Sequence, residues 1–321
     1  MVAVSITAET WFGMTWPLWR RWVTEVEQLG FAGLYRSDHF TPVPPLPQAA
    51  PELVVSLAHL AAHTARIRFG PLVAPLSFRD PVMLAWQAAT LDELSGGRMI
   101  LGVGAGWNAR EHAQFGYDLG DVPTRMARLE EGLEVITRLL RSGEPVSYTG
   151  RFYRLHEAAL PPVRGGGPPV LIGGSGPKYT LPLVARYADI WNGTGLAPDG
   201  FRERSAQLDT LLRLAGRNLH DVKRTVMAMV VCGRNAAELE RRISGLRREF
   251  PEYPDFAAMS LEEMLNLWRG WGVLIAGSPD TVIEQIRAYE AAGVEEIILQ
   301  WSTFDDFEGL ELLATHVLPY V

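Results

Sequence analysis

Val170-Leu171-Ile172-Gly173-Gly174-Ser175-Gly176-Pro177-Lys178 runs directly into a stretch of helical periodicity at 179–187, and this passage decides the fold. Consecutive aliphatic residues suit a strand covered on both faces, the glycines make a turn, and the periodic stretch returns along the sheet as a helix. Working outward, similar apolar runs occur at 2–7, 33–37, 67–74, 99–104, 189–193, 225–232 and 297–301, separated by longer helix-periodic segments. About eight such units predict an α/β fold of the (β/α)8 TIM-barrel kind. A doubly wound open sheet is the alternative, and the lack of Gly-x-Gly-x-x-Gly after the first run argues against it.

Start and stop signals fall between the runs. Pro17, Pro81 and the Ser278-Pro279 pair mark first helical turns, where a missing N–H costs nothing, and Gly30 and Gly293 close helices just before a strand. Two stretches break the repeat, 144–169 and 250–272, both rich in proline and aromatic residues. They are expected as rim insertions on one domain spanning 1–321.

The 321 residues are 47% hydrophobic and 21% charged, with 30 Lys and Arg against 37 Asp and Glu and a net charge of −7. Basic residues form no stripe, which excludes nucleic acid as the expected partner. The lone cysteine, Cys232, ends an apolar run and reads as a buried thiol in a reducing compartment. No stretch approaches the roughly 20 apolar residues of a membrane helix and no signal peptide is evident, so a cytoplasmic, membrane-free protein is expected.

A barrel of this kind carries its chemistry at the carboxyl ends of the strands. Trp11, Trp107, Trp191 and Trp301 fall at four of those ends and are expected to wall a pocket for a flat ring system and an apolar substrate, although indoles also pack rim helices. The second strand ends in Asp38-His39, making His39 the candidate proton donor or acceptor. The glycines after 170–172, backed by Ser175, Lys178 and the following helix N-terminus, form a candidate phosphate cradle. His59 and His63 are four apart on a helix but lack the glutamate of His-Glu-x-x-His, so no metal is expected.

In order and spacing, several motifs together carry a resemblance: Ser37-Asp38-His39-Phe40, Arg66-Ile67-Arg68-Phe69-Gly70-Pro71-Leu72-Val73, Ser95-Gly96-Gly97-Arg98 leading to Leu101-Gly102-Val103-Gly104-Ala105-Gly106-Trp107-Asn108, Gly150-Arg151-Phe152-Tyr153, Ile172-Gly173-Gly174-Ser175-Gly176-Pro177, and Ala185-Arg186-Tyr187-Ala188-Asp189-Ile190-Trp191-Asn192. Over nearly its whole length the chain resembles luciferase-like monooxygenases, especially their branch dependent on the deazaflavin coenzyme F420. The resemblance implies a bacterial luciferase-like barrel with a flat cofactor across the strand ends. It implies contacts to that cofactor from Asp38, Leu72, Val73, Ala105, Asn108 and the loop Gly173, Gly174, Ser175, Gly176 and Pro177. It also implies a non-prolyl cis peptide at or next to Leu72-Val73, His39 near the reactive ring, and a homodimer. One departure is informative, because the sugar-phosphate dehydrogenases of that branch carry a glutamate where this chain has Trp107.

The expected function is therefore hydride transfer between F420 and a small, apolar or aromatic organic substrate. The alternative is an FMN-dependent monooxygenase using dioxygen and a partner reductase; a lesser one is a flavin-binding protein without turnover. Arg110, Arg125, Arg128 and Lys178 are candidates to meet the acidic tail of F420. A hydrolase or lyase barrel lacks a nucleophile elbow or metal set to support it.

Overall fold

The computed structural model describes residues 1–9, 13–40, 49–249, 259–270 and 274–321. Parallel strands β1 (Ala3–Ala8), β2 (Gly33–Arg36), β3 (Arg68–Pro71), β4 (Ala74–Pro75) and β5 (Leu101–Gly104) make one side of a sheet. A hairpin, β6 (Val146–Thr149) and β7 (Arg154–Ala158), stands off it as a separate antiparallel pair. The sheet continues through β8 (Val170–Gly173), β9 (Ile190–Thr194), β10 (Lys223–Cys232) and β12 (Glu296–Trp301), with β11 (Leu274–Gly277) paired to the second half of β10. β12 pairs with β1, and a parallel bridge between Phe69 and Met99 joins β3 to the chain entering β5, so the ring closes. The barrel expected from the alternating runs is the observed fold, and β11, on the apolar stretch Leu274-Ile275-Ala276, adds a strand that was not among the expected runs.

Helices follow the strands in the expected alternation. Thr15 caps α1 (Trp16–Leu29) with Pro17 in its first turn, and Gly30 ends it at φ 91°, a left-handed conformation that a side chain would strain. Glu52 caps α2 (Leu53–His63), Asp80 caps α3 (Pro81–Ser95), Asn108 caps α4 (Ala109–Phe115) and Asp121 caps α5 (Val122–Arg141). The remaining helices are α6 (Thr180–Tyr187), α7 (Pro198–Leu214), α8 (Ala236–Glu249), α9 (Leu261–Gly270), α10 (Pro279–Ala291, capped by Ser278) and α11 (Phe307–His316). Of the stretch 250–272, α9 lies in the described part; 250–258 and 271–272 lie outside the described residues. No helix among the described residues is long and apolar enough to cross a membrane.

Two layers of core follow from strand alternation. Outward-facing strand residues such as Ile6, Leu34, Leu101 and Ile172 pack under the helices. Inward-facing Tyr35, Leu72, Ile100, Leu171, Ile190 and Ile298 fill the barrel. Glu296 closes the amino-terminal end, accepting from Ser5 Oγ at 2.5 Å and pairing with Lys223 Nζ at 2.6 Å. The barrel is thus packed below and open only at the carboxyl ends of its strands.

Candidate active site

At those ends lies a cavity of about 590 Å3, within the range of small-molecule sites. Its floor is built around the peptide Leu72-Val73, which is cis, at the position expected. The Val73 side chain fits because its neighbours have none: a Cβ on Gly104 would come within 2.6 Å of Val73 Cγ2 and one on Gly173 within 3.0 Å of Cγ1. Leu72, Val73, Ala105 and Asn108 all line the cavity.

His39 lies on the wall with Nδ1 2.8 Å from Glu111 Oε2, and the same carboxylate oxygen accepts from the backbone N–H of Phe40 at 3.2 Å. Burial alone would lower the imidazole pKa, but its hydrogen bond to the Glu111 carboxylate and the charges of Glu9, Glu111 and Asp38 prevail and raise it. The Phe40 ring stacks on Phe115 at 4.7 Å, tying the chain after β2 to α4. His112 is fully engaged elsewhere: Nδ1 is 2.7 Å from Asn108 O and Nε2 is 2.7 Å from Ser77 Oγ. Asp38 lines the cavity while Arg79 binds both of its oxygens, at 2.9 and 2.7 Å.

The expected tryptophan wall is only partly found. Trp107 lines the cavity, 66% exposed, edge-on to His39 with ring centroids 5.6 Å apart. Trp191 and Trp301 do not line it. Ile190 and Asn192 face into the barrel, so Trp191 between them must face out, where it stacks on Phe201 at 4.9 Å and donates to Gly174 O. Likewise Ile298 and Gln300 face in, and Trp301 packs outward beneath Gly309. Trp11 lies outside the described residues.

The glycine-rich loop also differs from expectation. Gly173 and Gly174 line the cavity, and Gly174 has φ 122°. Ser175, Gly176 and Pro177 lie beyond its described wall. The Ser175 hydroxyl donates to Thr194 O at 2.7 Å and accepts from Thr194 N at 2.9 Å, so it braces the loop against β9 and is not the supplementary anion donor expected. Thr180 and Leu181 direct their N–H groups back to Gly176 O, and the Gly174 N–H donates to Asn192 O at 2.9 Å. Lys178 sits over the Tyr179 ring at 4.9 Å, and Arg128 donates to Asp118 O.

Several wall residues were not assigned to the site from the sequence: Glu9, Ser37, Asn192, Thr194, Met227 and Gln300. Asn192 and Gln300 were findable, since a polar residue alternating with aliphatic neighbours marks the inward face of a barrel strand near its end. Ser37 Oγ and Asn192 Oδ1 are buried without a hydrogen-bond partner among the described residues, and both belong to the wall. Such atoms call for a ligand or water. No group of His, Cys, Asp and Glu among the described residues could hold a metal.

Residues 5–296 match the family described as luciferase-like monooxygenase. The chain belongs to the luciferase-like monooxygenase family. Within this family, the F420-dependent glucose-6-phosphate dehydrogenase of Nocardia farcinica is 30% identical over 322 residues, covering 91% of this chain and 90% of its own length. An F420-dependent secondary alcohol dehydrogenase, solved with an F420–acetone adduct, superposes with a TM-score of 0.81 at 19% identity, covering 98% of each chain. A monooxygenase from Streptomyces bottropensis superposes at 0.80 with 22% identity, covering 99% of each. The luciferase-like barrel is thus common to deazaflavin dehydrogenases and to monooxygenases.

Proposed function

We propose that this oxidoreductase binds F420 and transfers hydride between it and a small, apolar or aromatic organic substrate. The observation that carries the reading is the His39–Glu111 pair on the wall of a cavity floored by Leu72-Val73. F420, when bound, supplies a ring carbon that accepts or gives hydride. The wall fits such a group: Ser37 Oγ and Asn192 Oδ1 are unmatched polar atoms for a polar ring edge, and Gly173 and Gly174 carry no side chain to keep a phosphate arm away.

The chain's own part is orientation and proton handling. Glu111 fixes the His39 ring through Nδ1 and favours its protonated form, and this imidazole is the group that exchanges a proton with substrate. Trp107, Phe78 and Met227 present apolar surface that limits water around that ring. On the outer faces of α2 and α3, Val55, Met83, Trp86 and Leu94 are each about half exposed. That apolar surface supports pairing with a second copy of the chain.

Calorimetric titration with F420 and with FMN tests the reading. Tighter binding of F420, followed by bleaching of its chromophore on addition of alcohols, is expected. Tighter binding of FMN would move the assignment to the monooxygenases.

A further inference from the structure

Among its described residues the cavity wall carries acidic side chains and two imidazoles, His39 and His112, but no lysine or arginine. The acidic side chains are Glu9, Asp38 and Glu111. The segments 10–12, 41–48, 250–258 and 271–273, which lie outside the described residues, contain no Lys or Arg either. Behind the wall, Arg79 is committed to both oxygens of Asp38 and to Glu52 Oε1 at 2.9 Å, and Arg36, whose charge also acts on Asp38 and Glu9, donates to Ser37 O, Pro51 O and Ser56 Oγ. Glu111 holds His39, and Glu9, only 9% exposed, lies on the same wall. The side chains that face the cavity are therefore three carboxylates and two imidazoles, with no ammonium or guanidinium among the described residues.

A phosphate or carboxylate entering this space would lose water beside carboxylates, with no ammonium or guanidinium to replace it, and burying an unmatched charge is costly. The wall's remaining polar groups are neutral: Thr194, Asn192 and Gln300 offer hydrogen bonds of the kind a hydroxyl or carbonyl uses, flanked by Phe78, Met227 and Trp107. We infer that the substrate region of this cavity excludes anions, so that the organic substrate is an uncharged alcohol or its carbonyl counterpart. This inference rests on the F420-dependent reading above. It separates this chain from the sugar phosphate in the name of the Nocardia farcinica relative, despite 30% identity.

The test uses pairs of compounds that differ in charge on one carbon skeleton: glucose with glucose 6-phosphate, 2-propanol with lactate, and 4-methylcyclohexanol with 4-hydroxycyclohexanecarboxylate. F420 is added first, so that the loop after β8 is filled, and binding heats and turnover are recorded for each pair. At least one uncharged member is expected to bind and react, with its anionic counterpart at least tenfold weaker by both measures. Glu9→Gln is expected to narrow the binding gap severalfold. Glucose 6-phosphate bound or oxidised as well as its uncharged counterparts would overturn the inference while leaving the F420 reading intact. If F420 itself is not held, that reading falls, and the same pairs are compared by binding heat on the FMN-filled protein, where equal binding of the anions would again overturn the exclusion.

Discussion

His39 and Glu111, 72 residues apart in sequence, meet through a 2.8 Å contact in which the carboxylate is 1% exposed and the imidazole 13%. The same carboxylate holds the Phe40 N–H, so one buried group sets both the ring and the backbone that follows it. That arrangement gives His39 a defined tautomer and a reason to be held there.

Replacing His39 with alanine is expected to leave cofactor affinity within a few-fold, because the glycine loop after β8 is a separate element. Turnover should fall by about 10²–10⁴, the usual worth of a positioned acid or base. His39→Asn keeps hydrogen bonding but cannot carry the proton, so its kcat should fall as far. Full activity in His39→Asn would make the residue structural.

Because the His39 pKa is raised above 6.5, the limb of the pH–rate profile for alcohol oxidation should lie above that value, rising as the imidazole becomes a base. Glu111→Gln should move this limb toward lower pH. The sign for stability is the reverse of the carboxylate case: the protonated pair stabilises fully below the unfolded value and is lost as pH rises through the folded one. Thermal melts should therefore show Glu111→Gln more damaging in acid than in alkali. A limb that stays in place in the variant would assign it to another group.

Gly174→Val places a branched side chain at φ 122°, beside Thr180, where the atoms nearest a new Cβ are only 3.3 Å away. Cofactor binding is expected to weaken more than tenfold, about 1.4 kcal/mol. A variant that folds normally and binds F420 unchanged would put the phosphate elsewhere.

The two tryptophans should respond oppositely. Trp191→Ala removes a fully buried indole stacked on Phe201, and a loss of about 3–5 kcal/mol in denaturant melts is expected. Trp107→Ala, at a 66% exposed position, should shift stability by less than about 0.5 kcal/mol while changing KM for the organic substrate.

Cys232 is buried, and burial pushes its thiol up to about 11. A disulfide exchange reagent should label it only as fast as the protein unfolds, so rapid labelling at neutral pH would contradict that placement.

The barrel is legible in the sequence because strands covered on both faces are apolar runs whatever their register. The site is less so, because register decides which residues enter it. Trp191 and Asn192 are neighbours on one strand, and chemistry alone nominates the tryptophan for an aromatic pocket; the pleat sends it outward and Asn192 inward. Ser175 fails as an anion donor for a tertiary reason, since Thr194 on the next strand takes its hydroxyl. The partnership of Glu111 with His39 has no local signature at all, being made by α4 folding back over the end of β2. By contrast, the cis peptide at Leu72-Val73 and the placement of Asn108 are carried by motif resemblance and appear where expected.

Val73 and its glycine neighbours also fix the sequence in which this floor can change. At Gly104 the atoms a new methyl would meet belong to Val73 alone, the nearer at 2.6 Å, so alanine becomes admissible once Val73 has been shortened. At Gly102 the carbonyl oxygen of Pro71 stands 2.1 Å from the same methyl, and no trimming of Val73 removes it. A lineage descending from this chain can therefore alter position 104 by one ordered pair of steps, whereas position 102 is shut to it.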